Sequence, residues 1–211
     1  MRRITRETGT LLVIDETHTI CAGPGGYTGR EGLEPDLLTI GKTIGGGVPV
    51  AAYGMSEEIA SQVVDSTFWH EADVGGVGGT LAGNALSMAA VRATLGEVLT
   101  ESAFERMEAL AARLCDGIQS VIDRHGAPWH VTRLGCRSEY LFSPTPPRDG
   151  AQAAAAGDEQ LDAVLHLAML NRGVLLTPFH NMTLMSPATT AEHVDAHTAA
   201  FEEIVAELVA S

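Results

Sequence analysis

Apolar positions change their spacing along this chain. Near the start they are consecutive: Leu11-Leu12-Val13-Ile14, two of them β-branched, read as a strand buried on both faces, the pattern of parallel sheets in α/β proteins. Leu37 to Ile40 repeats the signal, and Val48 to Tyr53 predicts the next strand. Farther on the spacing turns helical, over Leu81 to Leu99 and again over Glu101 to His125, where Phe104, Met107, Leu110, Leu114 and Ile118 fall on one stripe. Val131 to Leu134 and Tyr140 to Phe142 then predict short strands. Asp158 to Asn171 predicts a helix with Leu161, Val164, Leu165 and Ala168 inward, Val174 to Leu176 a strand, and Thr189 to Ala210 an amphipathic closing helix. The polar punctuation agrees: Gly9 caps a helical tail, Ser56 with Glu57 and Glu58 opens a helix, Gly126-Ala127-Pro128 ends the long one, and Pro144 to Gly150 is a loop. Ile20 to Glu34 and Val64 to Gly79, rich in Gly, read as irregular segments, the second carrying Phe68, Trp69 and His70. The predicted organisation is α/β, with a first domain over 1–100, a linking helix over 101–125 and a small C-terminal domain over 126–211.

This pattern places chemistry at one edge. Asp15 and Glu16 follow the first strand directly, and ligands of open α/β sheets bind at the carboxyl ends of strands. The strand ending at Ile40 delivers Lys42 between Gly41 and the cluster Gly45-Gly46-Gly47, so acid and amine reach the same edge. Three readings compete. A nucleotide-hydrolysing motor is spelled by the apolar run before Asp15-Glu16-Thr17-His18, but a phosphate loop needs Gly, four residues, then Gly-Lys-Ser/Thr. Gly41-Lys42-Thr43 fits only the end of that pattern, the first position is Asp36, and the order of loop and acidic strand is reversed. A structural reading makes the acid a helix cap and the lysine a surface residue. The third reading takes the residues together.

Val-Ile-Asp-Glu-Thr at 13–17, Leu-Glu-Pro-Asp-Leu-Leu-Thr-Ile-Gly-Lys-Thr-Ile-Gly-Gly-Gly-Val-Pro-Val-Ala-Ala-Tyr-Gly at 33–54, and Gly-Gly-Thr-Leu-Ala-Gly-Asn-Ala-Leu at 78–86 occur in that order. This chain resembles the class III (subgroup II) aminotransferases and glutamate-1-semialdehyde aminomutase along nearly its whole length. The resemblance implies fold type I of the pyridoxal 5′-phosphate-dependent transferases, here a partial large domain with a mainly parallel sheet plus the small C-terminal α/β domain. It implies pyridoxal 5′-phosphate as cofactor, Lys42 as the Schiff-base lysine and Asp15 as partner of the ring nitrogen. Thr17 stands where relatives place a valine against the ring, and His18 where they place an apolar residue. Gly79 and Thr80 would bind the cofactor phosphate across a homodimer interface. The chemistry fits these residue types: a lysine amine can form a Schiff base when partly unprotonated, and a carboxylate at the pyridine nitrogen keeps the ring an electron sink. Lys42 is the only lysine in the chain.

The resemblance also implies that this is the C-terminal half of such an enzyme, because the segment that stacks on the ring and cradles the phosphate at a helix N-terminus is not among these residues. A sheet lacking strands would expose edges and apolar faces, which predicts poor solubility in isolation. An inactive fragment with only a dimerisation role is the alternative from another class, and an aminomutase would use the same residues as an aminotransferase.

Charge and composition trim the remaining options. With 13 basic against 27 acidic residues, the net charge of −14 repels nucleic acid; the resemblance implies small-molecule amino donors and keto acceptors as partners. No apolar run is long enough for a membrane span, and Met1-Arg2-Arg3 leads into a polar stretch rather than a signal peptide. Cys21, Cys115 and Cys136 are widely spaced, which suits a reducing cytoplasm. Tyr27, in the Gly-rich loop, is a candidate for shaping the substrate pocket. Arg137 could pair with a substrate carboxylate, though a salt bridge with Glu139 or another acid is the favoured use. His193 and His197 stand four apart without a third ligand and read as surface histidines, so no metal is assigned. The Thr177-Pro178-Phe179-His180-Asn181 loop resembles the segment that approaches the active site in this family.

Overall fold

A computed structural model describes residues 1–65, 79–178 and 180–210 of the chain. The predicted features at Phe68, Trp69, His70 and Phe179 lie outside these residues. The chain divides into two compact units, Met1–Glu101 and Ser102–Ser211.

The first unit opens with α1 (Arg2–Thr8), which Gly9 terminates as predicted. Its φ of 67° is left-handed, a conformation that costs other residues a Cβ clash, and it lets the Gly9 N–H reach back to the carbonyl of Arg6. Asp36 then ties three segments together. It accepts both arms of the Arg2 guanidinium at 2.6 and 2.7 Å and the Leu12 N–H at 2.7 Å. Strand β1 (Val13–Asp15) runs parallel to β2 (Leu37–Ile40), with Asp15 opposite Thr39, and β3 (Ala52–Met55) runs antiparallel to β2. This departs from a mainly parallel expectation. The connection from Gly41 to Ala51 is shorter than the roughly dozen residues a parallel crossover needs, so the chain turns straight back.

Local polar residues decide the other boundaries. The third strand begins at Ala52 rather than Val48 because residues 45–48 form a turn, Val48 N–H to Gly45 carbonyl at 3.0 Å, and Pro49 has no donor for a ladder. Helix α3 (Glu57–Asp65) starts after Ser56, whose hydroxyl accepts from the Ile59 N–H at 3.4 Å. Val64 and Asp65 are therefore helical, not irregular. Helix α4 (Ala85–Ala93) begins four residues later than the apolar spacing predicts, since Gly83 has a φ of 70° and Asn84 caps the Ser87 N–H at 3.0 Å. It runs into a wide turn, Thr94–Val98. The expected burial of β1 on both faces does not occur: Leu11 is 53% and Val13 55% exposed. Parallel strands are hidden only where helices cover both faces, and the described elements of this unit leave β1 uncovered.

The second unit is built around α5 (Glu101–His125), whose bounds match the sequence reading. Phe104, Met107, Ala111, Leu114, Ile118, Val121 and Ile122 are buried at helical spacing, while Leu110 sits at the edge of the stripe. The strands β4 (His130–Leu134), β5 (Arg137–Leu141) and β6 (Met182–Leu184) form an antiparallel sheet in that order. The predicted strand at Val174–Leu176 lies outside the sheet, and Met182–Leu184 takes the place beside β5. Asp149 caps α6 (Gly150–Ala155), and Asp158 caps α7 (Glu159–Asn171), accepting from Gln160 and Leu161. In α7 the inward residues are Leu165 and Met169, whereas Val164 is 46% exposed. Helix α8 (Ala191–Ala210) closes the core, and its Phe201 packs on Tyr140 with ring centroids 4.8 Å apart.

Candidate active site

Parallel pairing of β1 with β2 sets the first residues of the site side by side. Asp15 is the last residue of β1 and lies opposite Thr39, so its carboxylate stands at the carboxyl edge of the sheet. It accepts the Thr17 N–H at 2.9 Å. That bond, the Thr17 hydroxyl, Thr39 and the positive charge of Lys42 together hold the Asp15 carboxyl below its usual range, so it is an anion. Thr39 is a partner that sequence reasoning missed; the one polar position inside Leu37-Leu38-Thr39-Ile40 was its signal.

Lys42 follows Gly41 at the head of a tight turn, Lys42–Gly45. The turn is anchored by Ile44, fully buried, while Lys42 itself is exposed. Its φ is 55°, and among the described residues it is the one non-glycine with a positive φ. Left-handed backbone strains an L-residue and clusters at functional sites. A Cβ placed on Gly41 would lie 3.6 Å from Thr17 Cγ2 and 3.5 Å from Ala51 Cβ, so Thr17 and Ala51 border the backbone that carries Lys42. Asp15, Thr17, Thr39 and Lys42 thus come together. Beside them runs a groove of about 890 Å³ bounded by Thr17, Thr39, Tyr53, Leu81, Asn84 and Ser87.

Gly79 and Thr80 are exposed, in a turn where the Ala82 N–H donates to the Gly79 carbonyl at 3.1 Å. Thr80 is not the N-cap of α4, which is Asn84. His18, also exposed, precedes a short helical turn, Thr19–Ala22, and Tyr27 lies in α2 (Gly26–Glu31), 36% exposed. The segment expected to be loop is therefore partly helical. Its organiser is Glu16, buried at 1% exposure, which sequence reasoning left as a mere neighbour of Asp15. The Glu16 carboxylate accepts the Thr19 hydroxyl, the Thr28 N–H and, at 3.1 Å, the Tyr27 N–H.

In the second unit Arg137 donates to Glu139 at 2.7 Å, the ion pair favoured on sequence grounds. His180 Nδ1 lies 3.5 Å from the other Glu139 oxygen. His193 is exposed, but His197 is not a surface residue: it is 6% exposed, stacked near Phe201, and both ring nitrogens are buried without a hydrogen-bond partner. Burial lowers its pKa to about 4. The helix's apolar stripe takes His197 inward because position 197 continues the spacing of Val194, Phe201 and Ile204. Among the described residues there is no group of three or more His, Cys, Asp or Glu arranged to hold a metal ion.

The family model described as aminotransferase class-III matches residues 1–205. A glutamate-1-semialdehyde 2,1-aminomutase of Thermomicrobium roseum is 39% identical over 210 residues, covering 99% of this chain and 47% of the relative. A crystal structure of a glutamate-1-semialdehyde-aminomutase variant from Pseudomonas aeruginosa PAO1 in complex with PMP superposes with a TM-score of 0.92 at 46% identity, over 98% of this chain and 47% of that one. An omega-transaminase from Sphaerobacter thermophilus superposes with a TM-score of 0.83 at 31% identity, over 97% and 46%. The chain spans about half the length of the curated relatives it matches. The fold is type I of the pyridoxal 5′-phosphate-dependent transferases, in part.

Proposed function

Because the chain belongs to the class-III aminotransferase family, we propose that it carries the lysine-bearing half of a pyridoxal 5′-phosphate-dependent aminotransferase site, moving an amino group between an amino acid or amine donor and a keto acid or aldehyde. The observation that carries this reading is the convergence of anionic Asp15 and the strained Lys42 at one sheet edge, within electrostatic reach of each other. The residues suit the cofactor. An anionic carboxylate left open at a strand end fits a protonated ring nitrogen, an exposed amine fits an aldehyde, and the adjoining groove has room beside both. When bound, pyridoxal phosphate supplies an electron sink for the negative charge left at a deprotonated carbon.

Asp15 Oδ would hold the proton-bearing ring nitrogen, and the Thr17 N–H fixes that carboxylate's direction. Thr17 offers a β-branched wall to one ring face. Lys42 Nζ would hold the cofactor's aldehyde, and its amine would serve as general base and then general acid, taking the proton from the substrate carbon that bears the amine and later returning one. The left-handed backbone at Lys42 carries a local conformational cost that buried Ile44 helps to sustain. Thr80 and the Gly79 N–H would hold the cofactor phosphate of the second subunit of a homodimer. His18 and Tyr27 border the substrate side. Arg137 stays with Glu139 and is not proposed for the substrate carboxylate.

A second reading, intramolecular amino transfer by a glutamate-1-semialdehyde-type aminomutase, is favoured by the 39% and 46% identical relatives. It uses Asp15, Lys42 and Thr80 in the same roles. A cytoplasmic location is supported by the absence of a disulfide at Cys21, Cys115 and Cys136. Among the described residues no helix is long and apolar enough to cross a membrane.

The deciding experiment adds pyridoxal phosphate to the protein, records the visible spectrum, reduces with borohydride and locates the added mass. A band trapped on Lys42 and lost in Lys42→Ala is expected. No band, or one unchanged by the substitution, would overturn the reading in favour of an inactive fragment. Screening amino donors and acceptors against an assay for isomerisation of an α-amino aldehyde to an α-amino ketone then separates aminotransferase from aminomutase.

A further inference from the structure

We propose that Glu16 is a positioning residue that fastens the segment 17–28, and with it Tyr27, against the edge that holds Asp15 and Lys42; its catalytic consequence rests on the transferase reading above. Glu16 is the residue at which the chain leaves the sheet. Its N–H still donates to the Thr39 carbonyl at 2.8 Å, and its carbonyl accepts the Ile20 N–H at 3.0 Å, so its backbone belongs both to the ladder and to the following turn. The side chain then closes the far end. One buried carboxylate accepts Thr19 Oγ1, Tyr27 N–H and Thr28 N–H, drawing the start of α2 back to the end of β1.

Two further observations single this carboxylate out. Gly26 has a φ of 67°, and a Cβ there would lie 2.8 Å from Glu16 Oε2, so the backbone approaches the carboxylate as closely as only glycine allows. Burial alone would push the Glu16 carboxyl up, yet the bonds from Thr19, Thr28 and Tyr27 outweigh it and leave the group below its usual range. Charge-assisted bonds of this kind are about twice as strong as neutral ones, and three of them converge on one group. Thr17 and His18 lie on the segment that it closes and Tyr27 at its far end, while Asp15 precedes it. A surface acid that merely followed the strand would satisfy none of these contacts.

Glu16→Gln keeps the shape, removes the charge and turns one acceptor into a donor that faces donors. The backbone amides of Tyr27 and Thr28 are expected to exchange hydrogen about tenfold faster than in the wild type, the equivalent of one such bond. With pyridoxal phosphate bound, KM for the amino donor should rise about tenfold while kcat stays within about twofold, the split expected when a wall of the substrate site loosens and the reacting groups stay in place. Thr19→Val, which removes one donor and leaves the charge, should move both readings the same way by less, and it decides the matter if Glu16→Gln does not fold. Unchanged exchange at Tyr27 and Thr28, or a fall in kcat with KM unaltered, would overturn the proposal. If the wild type transfers no amino group at all, the transferase reading fails by itself, and amide exchange alone still decides whether Glu16 fastens the segment.

Discussion

The unit Met1–Glu101 and the unit Ser102–Ser211 bury apolar surface very differently. Among the described residues the first contributes Cys21, Ala22 and Ile44 to the buried apolar set, whereas the second encloses Phe104, Met107, Leu114, Ile118, Tyr140, Leu165, Met169, Phe201 and Ile204. In the first unit Leu11, Val13, Tyr53, Leu81 and Leu86 remain substantially exposed. Yet the candidate chemistry, Asp15 and Lys42, sits in the first. The second unit is held mainly by packing; the first is held at a few points by buried or half-buried carboxylates, Glu16 and Asp36, that gather backbone N–H groups. An apolar core fixes a shape without specifying chemistry, and a carboxylate fastener fixes a turn while leaving the neighbouring edge open for a ligand.

The contrast can be broken most sharply in the packed unit. Phe201→Ala should destabilise by about 4 kcal/mol, since the ring is fully buried against Tyr140 and near Trp129, whereas Val13→Ala, more than half exposed, should cost less than about 0.5 kcal/mol. Denaturant unfolding of the two variants measures the difference, and equal costs would mean that the first unit has a core not apparent in its burial. Next comes His197. Its folded pKa of about 4 lies below the value of 6.5 expected when unfolded, so the unfolded state binds the proton first and stability falls as pH drops from about 6.5 to about 4. The loss approaches 3 kcal/mol at the acid end as an order of magnitude, ~1.4 for each unit of pKa. His197→Phe should flatten that dependence in a pH series of thermal melts.

Two smaller effects probe the first unit. Lys42→Gly should be about 1 kcal/mol more stable than Lys42→Ala, because alanine keeps the left-handed strain and glycine relieves it. Equal stabilities would mean that the turn relaxes once the lysine is gone. Asp36, held at about 2 by the Arg2 guanidinium and the Leu12 N–H, contributes stability that is complete above its ordinary value of 3.8 and is lost as pH falls from there through about 2. Asp36→Asn should remove that acid-side slope and leave α1 less protected from hydrogen exchange at neutral pH.

How much was legible followed from how local each signal is. Helix α5 was read to the residue because its apolar stripe repeats at helical spacing over its whole length and Gly126 stops it. Strand β2 was equally clear. The apolar pattern points to Val174–Leu176 as a strand because two short apolar runs lie close together, and the choice belongs to β5, whose Ser138 and Glu139 pair with Thr183 and Met182 more than forty residues away. At the candidate site, strand ends and glycines point to Asp15 and Lys42. They do not reveal the roles of Thr39 and Glu16, which depend on which strand lies alongside and on where α2 folds back.

By itself the sequence determined the α/β class, the long helix, the acid and amine at strand ends, and the likeness to class III aminotransferases, because each depends on residues near one another in the chain. Tertiary structure alone decided the rest: the reversal of β3, the burial of His197, and the gathering of Thr19, Tyr27 and Thr28 onto Glu16. A buried hydrogen bond or ion pair joins groups that only the folded backbone brings within 3 Å, and no periodicity in the chain records that meeting.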